Sequence, residues 1–304
     1  MTREFVKCKN QEFEPVIIHT DGGLKAHPGY PALSIIIPTA DGYRGGYFKN
    51  LLQQLKAQSF QNFEVIIVKG DRRQGRAINT GASLARGDLI MTMDDDTCIG
   101  HQDLLKKLVD AMYNDPDIGM AGVPNLIPED ASWLVKRVMR EIPRRSSKMV
   151  DKVTVSDMAE HPCLIMRKDL FFDVGGENEL IPRGLDPYLR QVIREAGYKV
   201  VVIPEVYIHH LPPNRLWQLL KQFFRNGLAA FYVNRFYPQW VYELTTDHHD
   251  LGIIRIRWPR RISRQVINLT KALLELRILF LINQIAYLTG FFWGMLRIRE
   301  ANDY

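Results

Sequence analysis

Cysteine is scarce in this 304-residue chain: Cys8, Cys98 and Cys163 stand far apart and are odd in number. No Cys-x-x-Cys spacing occurs, which argues against a disulfide framework or a cysteine zinc site and predicts a reducing compartment. The N-terminus, MTREFVKCKNQEFEP, lacks the apolar core of a signal peptide, so the expectation is a chain that is not exported. Without export, the NLT sequon at 268–270 has little meaning. Charge is missing from one long stretch, since none falls between Arg277 and Arg297.

What is present fits a folded enzyme-sized protein. Hydrophobic residues make up 46% of the chain, enough for a real core in one large domain with additions, or in two. The formal net charge of +6 favours anionic partners such as phosphates or acidic lipids. Basic clusters lie at RRQGR (72–76), KRVMREIPRRSSK (136–148) and RIRWPRRISR (255–264). No nucleic-acid module accompanies them, so no nucleic acid is expected as a partner.

Residues 1–31 are polar, carry DGG and HPGYP as turn signals, and read as an irregular lead-in. ALSIIIPT (32–39) and FEVIIVKGD (63–71) are continuous apolar runs of the kind a parallel strand shows when both faces are covered. Helical spacing separates them at 46–58 and recurs at 75–87 and 101–115, with further strands at DLIMTMD and 118–125. Strand and helix alternating at this interval predict βαβ units and a mostly parallel sheet. Ligands bind beyond the carboxyl ends of such strands, where Thr39–Asp41, Lys69–Asp71 and Asp94–Asp96 are expected to fall. In the second half, a strand and short helix span 162–176, a helix and strand 186–205, and a long helix 215–236.

Three consecutive carboxylates, Asp94, Asp95 and Asp96, end the third strand. They either form a solvated acidic turn or meet something positive. Asp-x-Asp at a strand tip suits Mg²⁺ or Mn²⁺, which prefer hard oxygen ligands and share them with substrate phosphates. In extended chain Asp94 and Asp96 would share a face.

The surrounding residues carry a resemblance. LSIIIPTADGYRGGYFKNLLQQLKAQSFQNFEVIIVKGD, followed by GRAINTGASLARGDLIMTMDDDT, is similar in order and spacing to the family 2 glycosyltransferases, which have the GT-A fold. A second block, LDPYLRQVIREAGYKVVVIPEVYIHH (185–210), resembles the family's acidic, Ala-Gly-Tyr and His segment. The resemblance covers about residues 32–230. It implies an α/β, Rossmann-like GT-A sheet, mixed but mostly parallel and flanked by helices. The implied organisation is a domain at 32–236, with a nucleotide-sugar half at 32–125 and an acceptor half at 126–236. Residues 237–304 would form a C-terminal amphipathic helical extension that associates with membranes.

By this resemblance the activity is metal-dependent, inverting transfer of a sugar from a nucleoside-diphosphate sugar to a hydroxyl. Asp186 falls on the family's catalytic base, although Asp followed by Pro also starts helices well. Asp96 and Asp94 would hold Mn²⁺ or Mg²⁺, with His209 or His210 as a further ligand. Pro38, Thr39, Asp41, Asp71, Arg76, Asn79, Asp94 and Asp95 would bind the nucleotide sugar, Arg76 meeting the diphosphate with Arg72 or Arg73 beside it. Two departures stand out: VKGD replaces the family's Asp-Asp-Gly-Ser-like turn, leaving uridine and guanosine both open, and Leu185 stands where Glu is common.

The 19 uncharged residues at 278–296 lie near the lower limit of the ~17–25 that span a bilayer. Asn283, Gln284, Thr289 and two glycines weaken a span, and the basic flanks with Tyr287, Phe291, Phe292 and Trp293 suit an interface helix, a packing helix remaining a third option. The expectation is a cytoplasmic enzyme, peripheral at the inner face of the cell membrane, acting on a glycan or polyprenyl-phosphate-linked acceptor in surface polysaccharide or glycoconjugate synthesis. The alternatives are a sugar-phosphate nucleotidyltransferase, for which TADGYRGGY is a poor phosphate loop, and a basic protein that binds membranes or polyanions without catalysis.

Overall fold

The computed structural model describes residues 2–8, 16–21, 30–242, 248 and 258–301. In chain order the strands are β1 (Val16–Asp21), β2 (Leu33–Thr39), β3 (Phe63–Lys69), β4 (Leu89–Met93), β5 (Thr97–Ile99), β6 (Ile118–Gly122), β7 (Thr154–Val155), β8 (Cys163–Arg167), β9 (Lys199–Val202) and β10 (Ile208–His210). The α-helices are α1 (Tyr47–Lys56), α2 (Gln74–Leu84), α3 (Leu104–Asn114), α4 (Trp133–Glu141), α5 (Lys168–Asp173), α6 (Asp186–Glu195), α7 (Leu216–Phe236), α8 (Trp258–Leu274) and α9 (Ile278–Arg297).

Eight strands form one sheet in the order β1-β3-β2-β4-β8-β6-β9-β7. β2, β3, β4, β6 and β9 run one way, while β1, β7 and β8 run against them. β2 is an interior strand, where Leu33, Ile35, Ile36 and Ile37 are fully buried. A strand apolar on both faces must be covered on both. On one side Leu33, Ile35 and Ile37 pack with Leu51 and Leu55 of α1 and with Leu104, Leu105 and Leu108 of α3. On the other, Ile66 and Val68 of β3 meet Ala77 of α2. A side chain at Gly81 would put its Cβ 2.4 Å from Ile36 Cγ2, so α2 lies this close to the sheet only because glycine stands there.

β4, β8 and β6 set up the chemistry. Because β8 is antiparallel to β4, with Met93 opposite Cys163, the chain entering β8 passes the carboxyl end of β4. The turn after β4 leads into β5, which pairs antiparallel with β10 in a separate small ribbon.

Two sequence expectations need correction here. The lead-in at 1–31 is not all irregular: Val16–Asp21 pairs antiparallel with β3 along its whole length and forms an edge of the sheet. Ile17 faces the cluster of Ile66, Val68 and Ala77, while Val16 and Ile18 are exposed, a two-residue alternation too short to register as a pattern. Of its turn signals, residues 22–29 lie outside the described residues.

The second correction concerns the division of the chain. One compact unit comprises the sheet, from the described parts of Met1–Leu126 and Ser147–His210, with His248. The other comprises Ile127–Ser146 and the described parts of Leu211–Thr246 and Leu251–Tyr304. Residues 127–146 and α7, expected as part of the acceptor half of the sheet domain, therefore cluster with the C-terminal helices.

The reason lies in how α7 and α9 meet. A Cβ on Gly290 would stand 2.0 Å from the Phe224 carbonyl oxygen, and one on Gly227 would stand 1.9 Å from that of Tyr287. Backbone touches backbone, a packing only small residues permit. Val138, Ile142, Leu219, Phe223 and Leu279 fill a shared core. The buried Glu141 carboxylate accepts hydrogen bonds from the Leu279 (2.9 Å) and Phe280 (3.3 Å) N–H groups, satisfying open donors at the start of α9.

α9 is long and apolar enough to cross a membrane by length and composition. Apolar side chains also stand exposed along α8 (Ile262, Val266, Ile267, Leu273, Leu274) and α9 (Ile285, Phe292, Met295, Leu296).

Candidate active site

β2 ends at Thr39, β3 at Lys69 and β4 at Met93, all at one end of the sheet. The acidic tip follows β4 directly. It is a turn rather than extended chain, closed by the Thr97 N–H donating to the Asp94 carbonyl at 3.0 Å. Asp94 and Asp96 still converge, because of the turn and its neighbours rather than strand alternation.

Their meeting point is His210. Its Nε2 lies 3.2 Å from Asp96 Oδ1 and 3.7 Å from Asp94 Oδ2. One ligand atom from each of the three residues falls within 4.8 Å of the others. The β5–β10 pairing, His210 opposite Thr97, holds the imidazole there. Asn125 locks the same residue by accepting from the His210 N–H at 2.9 Å. His209, one residue earlier, turns the other way, with Nδ1 2.7 Å from the Leu126 carbonyl and its ring edge-on to Tyr207. Of the two histidines, His210 is thus the one beside the carboxylates.

The environment separates the three aspartates. Burial pushes the Asp94 carboxyl up to about 6, against the pull of His210 and with the added push of Asp96. Burial works the same way on Asp96, but His210 and Arg44 outweigh it and hold Asp96 below the usual carboxylate range. Asp95 is buried; its Oδ2 accepts from the Thr39 hydroxyl at 2.6 Å and its Oδ1 lies 3.3 Å from Arg44 Nε. Gln74, at the start of α2, donates to Asp94 Oδ1 at 2.9 Å. Two carboxylates and an imidazole, with like charges crowded and partly desolvated, form a donor set that fits Mn²⁺, or Mg²⁺ with water and phosphate completing its shell.

Arg44 is a residue the sequence reading missed. It sits in the loop after β2, at φ +46°, among Gly42, Gly45 and Gly46, which also have positive φ. Asp41 shapes this loop by accepting from the Tyr43 and Arg44 N–H groups at 2.8 and 2.9 Å, and these bonds hold its own carboxyl low. The guanidinium reaches Asp96 Oδ2 at 2.7 Å. The loop's glycines were its only signal.

Asp186 is the first residue of α6, with Pro187 next. Its side chain caps nothing on its own helix. Oδ1 instead accepts from the His161 N–H at 2.7 Å and faces His161 Nδ1 at 2.5 Å. Asp94 and Asp186 are near enough for each charge to be felt at the other. His161 arrives on the chain entering β8, fixed by its carbonyl accepting from the Thr92 hydroxyl. No sequence pattern shows that β8 runs backwards, so nothing pointed to His161 or to Glu177, whose Oε1 lies 2.6 Å from His161 Nε2.

The other expected nucleotide-sugar residues are engaged elsewhere. Asp71 and Arg76 pair with each other at 2.7 and 2.8 Å, and the Asp71 carboxylate is buried. Arg73 is buried at the start of α2. Asn79 exchanges hydrogen bonds with the Glu177 backbone, donating to its carbonyl at 2.9 Å and accepting from its N–H at 2.8 Å, so it secures a turn. Pro38 lies in β2 opposite Val68, half-buried.

The profile of the glycosyl transferase family 2 matches residues 69–174. An uncharacterised glycosyltransferase of Haemophilus influenzae is 24% identical over 202 residues, 57% of this chain and 66% of that protein, a little under two thirds of its length. Among solved structures, a mannosyltransferase of Pyrobaculum calidifontis, described in complex with GDP-Man and Mn²⁺, superposes with a TM-score of 0.56 at 12% identity, covering 92% of this chain and 90% of its own. TarS of S. aureus in complex with UDP gives a TM-score of 0.42 at 14% identity over 66% of this chain and 65% of that one.

Proposed function

We propose that the chain is a family 2 glycosyltransferase on a GT-A-type sheet, performing metal-dependent, inverting transfer of a sugar from a uridine or guanosine diphosphate sugar to a hydroxyl acceptor; the family match over residues 69–174, the glycosyltransferase relative and the shared fold support this reading. The observation that supports this best is the convergence of Asp94, Asp96 and His210 at the sheet end where Asp186 starts α6.

Roles follow from the positions. Asp94, Asp96 and His210 are the set that would hold Mn²⁺ or Mg²⁺, which when bound neutralises charge on a departing diphosphate. Thr39 and Gln74 orient the carboxylates by hydrogen bonds to Asp95 and Asp94. Arg44 presents a guanidinium beside the same tip, suited to a phosphate oxygen once a donor is there. Asp186 takes the proton of the attacking hydroxyl, on the face of the sugar opposite the leaving group. Incubation with a panel of nucleotide sugars and Mn²⁺ should release nucleoside diphosphate from one of them; release of pyrophosphate from sugar phosphate and nucleoside triphosphate would replace this reading with nucleotidyl transfer.

The acceptor we propose is a glycan on a membrane-bound polyprenyl phosphate, with the enzyme docked at an anionic bilayer. The support is the apolar side chains exposed along α8, with Arg264 and Lys271 exposed on that helix. Each basic residue near an anionic leaflet adds about 1 kcal/mol. Co-flotation with phosphatidylglycerol vesicles is expected at low salt, weakened by Ile267→Glu; a protein that leaves such vesicles bare at low salt contradicts the docking.

A further inference from the structure

Glu177 is the most deeply buried acid near the site and has no part in the roles above. It is fully buried, its Oε1 faces His161 Nε2 at 2.6 Å, and its Oε2 has no hydrogen-bond partner. Such a carboxylate is costly to bury unless a charged partner compensates it. The only group so placed among the described hydrogen bonds and ion pairs is the His161 imidazole, itself 3% exposed.

The ring stands between two acids. Nδ1 is 2.5 Å from Asp186 Oδ1 while Nε2 is 2.6 Å from Glu177 Oε1. Both neighbours accept, so both nitrogens must donate, and a ring protonated at both satisfies the pair. The His161 N–H adds a second bond to the same Asp186 oxygen at 2.7 Å. Oδ1 is thereby fixed twice, and Oδ2 is left for another partner. Asn79 extends the support by clamping the Glu177 backbone on both sides.

We propose that Glu177 and His161 are positioning residues for the transfer reaction, a carboxylate–imidazole relay that fixes Asp186 Oδ1 and presents Oδ2 to the acceptor hydroxyl. The proposal rests on Asp186 being the base.

Electrostatics agree with the geometry. Burial opposes an imidazolium at His161, but Asp186 and Glu177 outweigh it and hold the ring well above its ordinary value. Burial likewise opposes the Asp186 carboxylate, and His161, with Arg190 beyond it, holds that group below the usual range. The charges of His161 and Asp186 are in turn both felt at Asp94. Asp186 is therefore ionised across the neutral range, and what the relay supplies is orientation more than basicity.

The sign of the pH effect follows. Removing the imidazolium lets the Asp186 value rise, so the acid limb of the kcat/KM profile moves to higher pH. In the full-length chain, His161→Gln is expected to lower kcat about 100-fold with donor KM little changed. The isosteric Glu177→Gln keeps an acceptor for Nε2 but removes the charge, and should lower kcat about tenfold with a smaller shift of the same limb. A role confined to folding would lower the melting temperature and leave both kcat and the acid limb of the folded enzyme where they were; that result overturns the proposal. Should either variant fold poorly, ¹⁵N-histidine NMR of the unmodified protein decides: His161 is expected to carry protons on both nitrogens at pH 8, and a neutral ring contradicts the relay. Wild-type turnover in Asp186→Asn removes the base and the relay together, whereas a dead Asp186→Asn with wild-type kcat in His161→Gln removes the relay alone.

Discussion

Asp186→Asn is expected to cut turnover about 10³-fold, roughly 4 kcal/mol of barrier, while the protein stays folded and binds donor as before. Asn retains an oxygen that can accept from the His161 N–H and Nδ1–H, the two bonds that fix this side chain in place. It cannot take a proton from an alcohol. Since the side chain caps no N–H of α6, the helix start loses nothing comparable. A melting temperature near wild type together with collapsed kcat is therefore the signature of a base; near wild-type kcat would mean that Asp186 is only part of the scaffold around His161.

The second large effect is at the acidic tip. Asp96→Ala is expected to abolish Mn²⁺ binding by titration and to reduce turnover to background, since a Lewis acid at a leaving diphosphate supplies several kcal/mol. The Asp96 carboxylate also accepts from Arg44 and lies beside His210 Nε2, so its removal disturbs the anchoring of the Arg44 guanidinium as well. His210→Ala should weaken Mn²⁺ binding markedly. His209→Ala should leave it intact, because that ring faces the Leu126 carbonyl. Equal loss in both histidine variants would show that the imidazole acts through the β5–β10 ribbon rather than as a ligand.

Much of this was legible in the sequence, for reasons that are local. The buried runs of β2 and β3 have no polar face, which only a doubly covered strand tolerates, and this fixed the sheet and its functional end. Asp94–Asp96 announced themselves by crowding charge at a strand tip. Other features depend on contacts far apart in the chain. His210 and His209 cannot be told apart until β10 is paired with β5, because a shift of one residue exchanges their faces. His161 owes its place to the reversed direction of β8, and Glu177 owes its burial to His161. Asp71, Arg76 and Asn79, expected at the nucleotide sugar, also meet structural needs that depend on distant contacts: an ion pair at the head of α2 and a clamped turn before α6. The aromatic face of α7 says that the helix packs, but not against what. The glycines that fit it to α9 lie more than fifty residues apart.

The most direct test is a crystal grown with Mn²⁺ and an unreactive nucleotide sugar, read by anomalous scattering at the manganese edge. A single manganese peak bounded by Asp94, Asp96 and His210, with the diphosphate on it and the anomeric carbon turned toward Asp186, is the result expected. A peak elsewhere, or phosphates bound away from those three side chains, would contradict the whole assignment of the site.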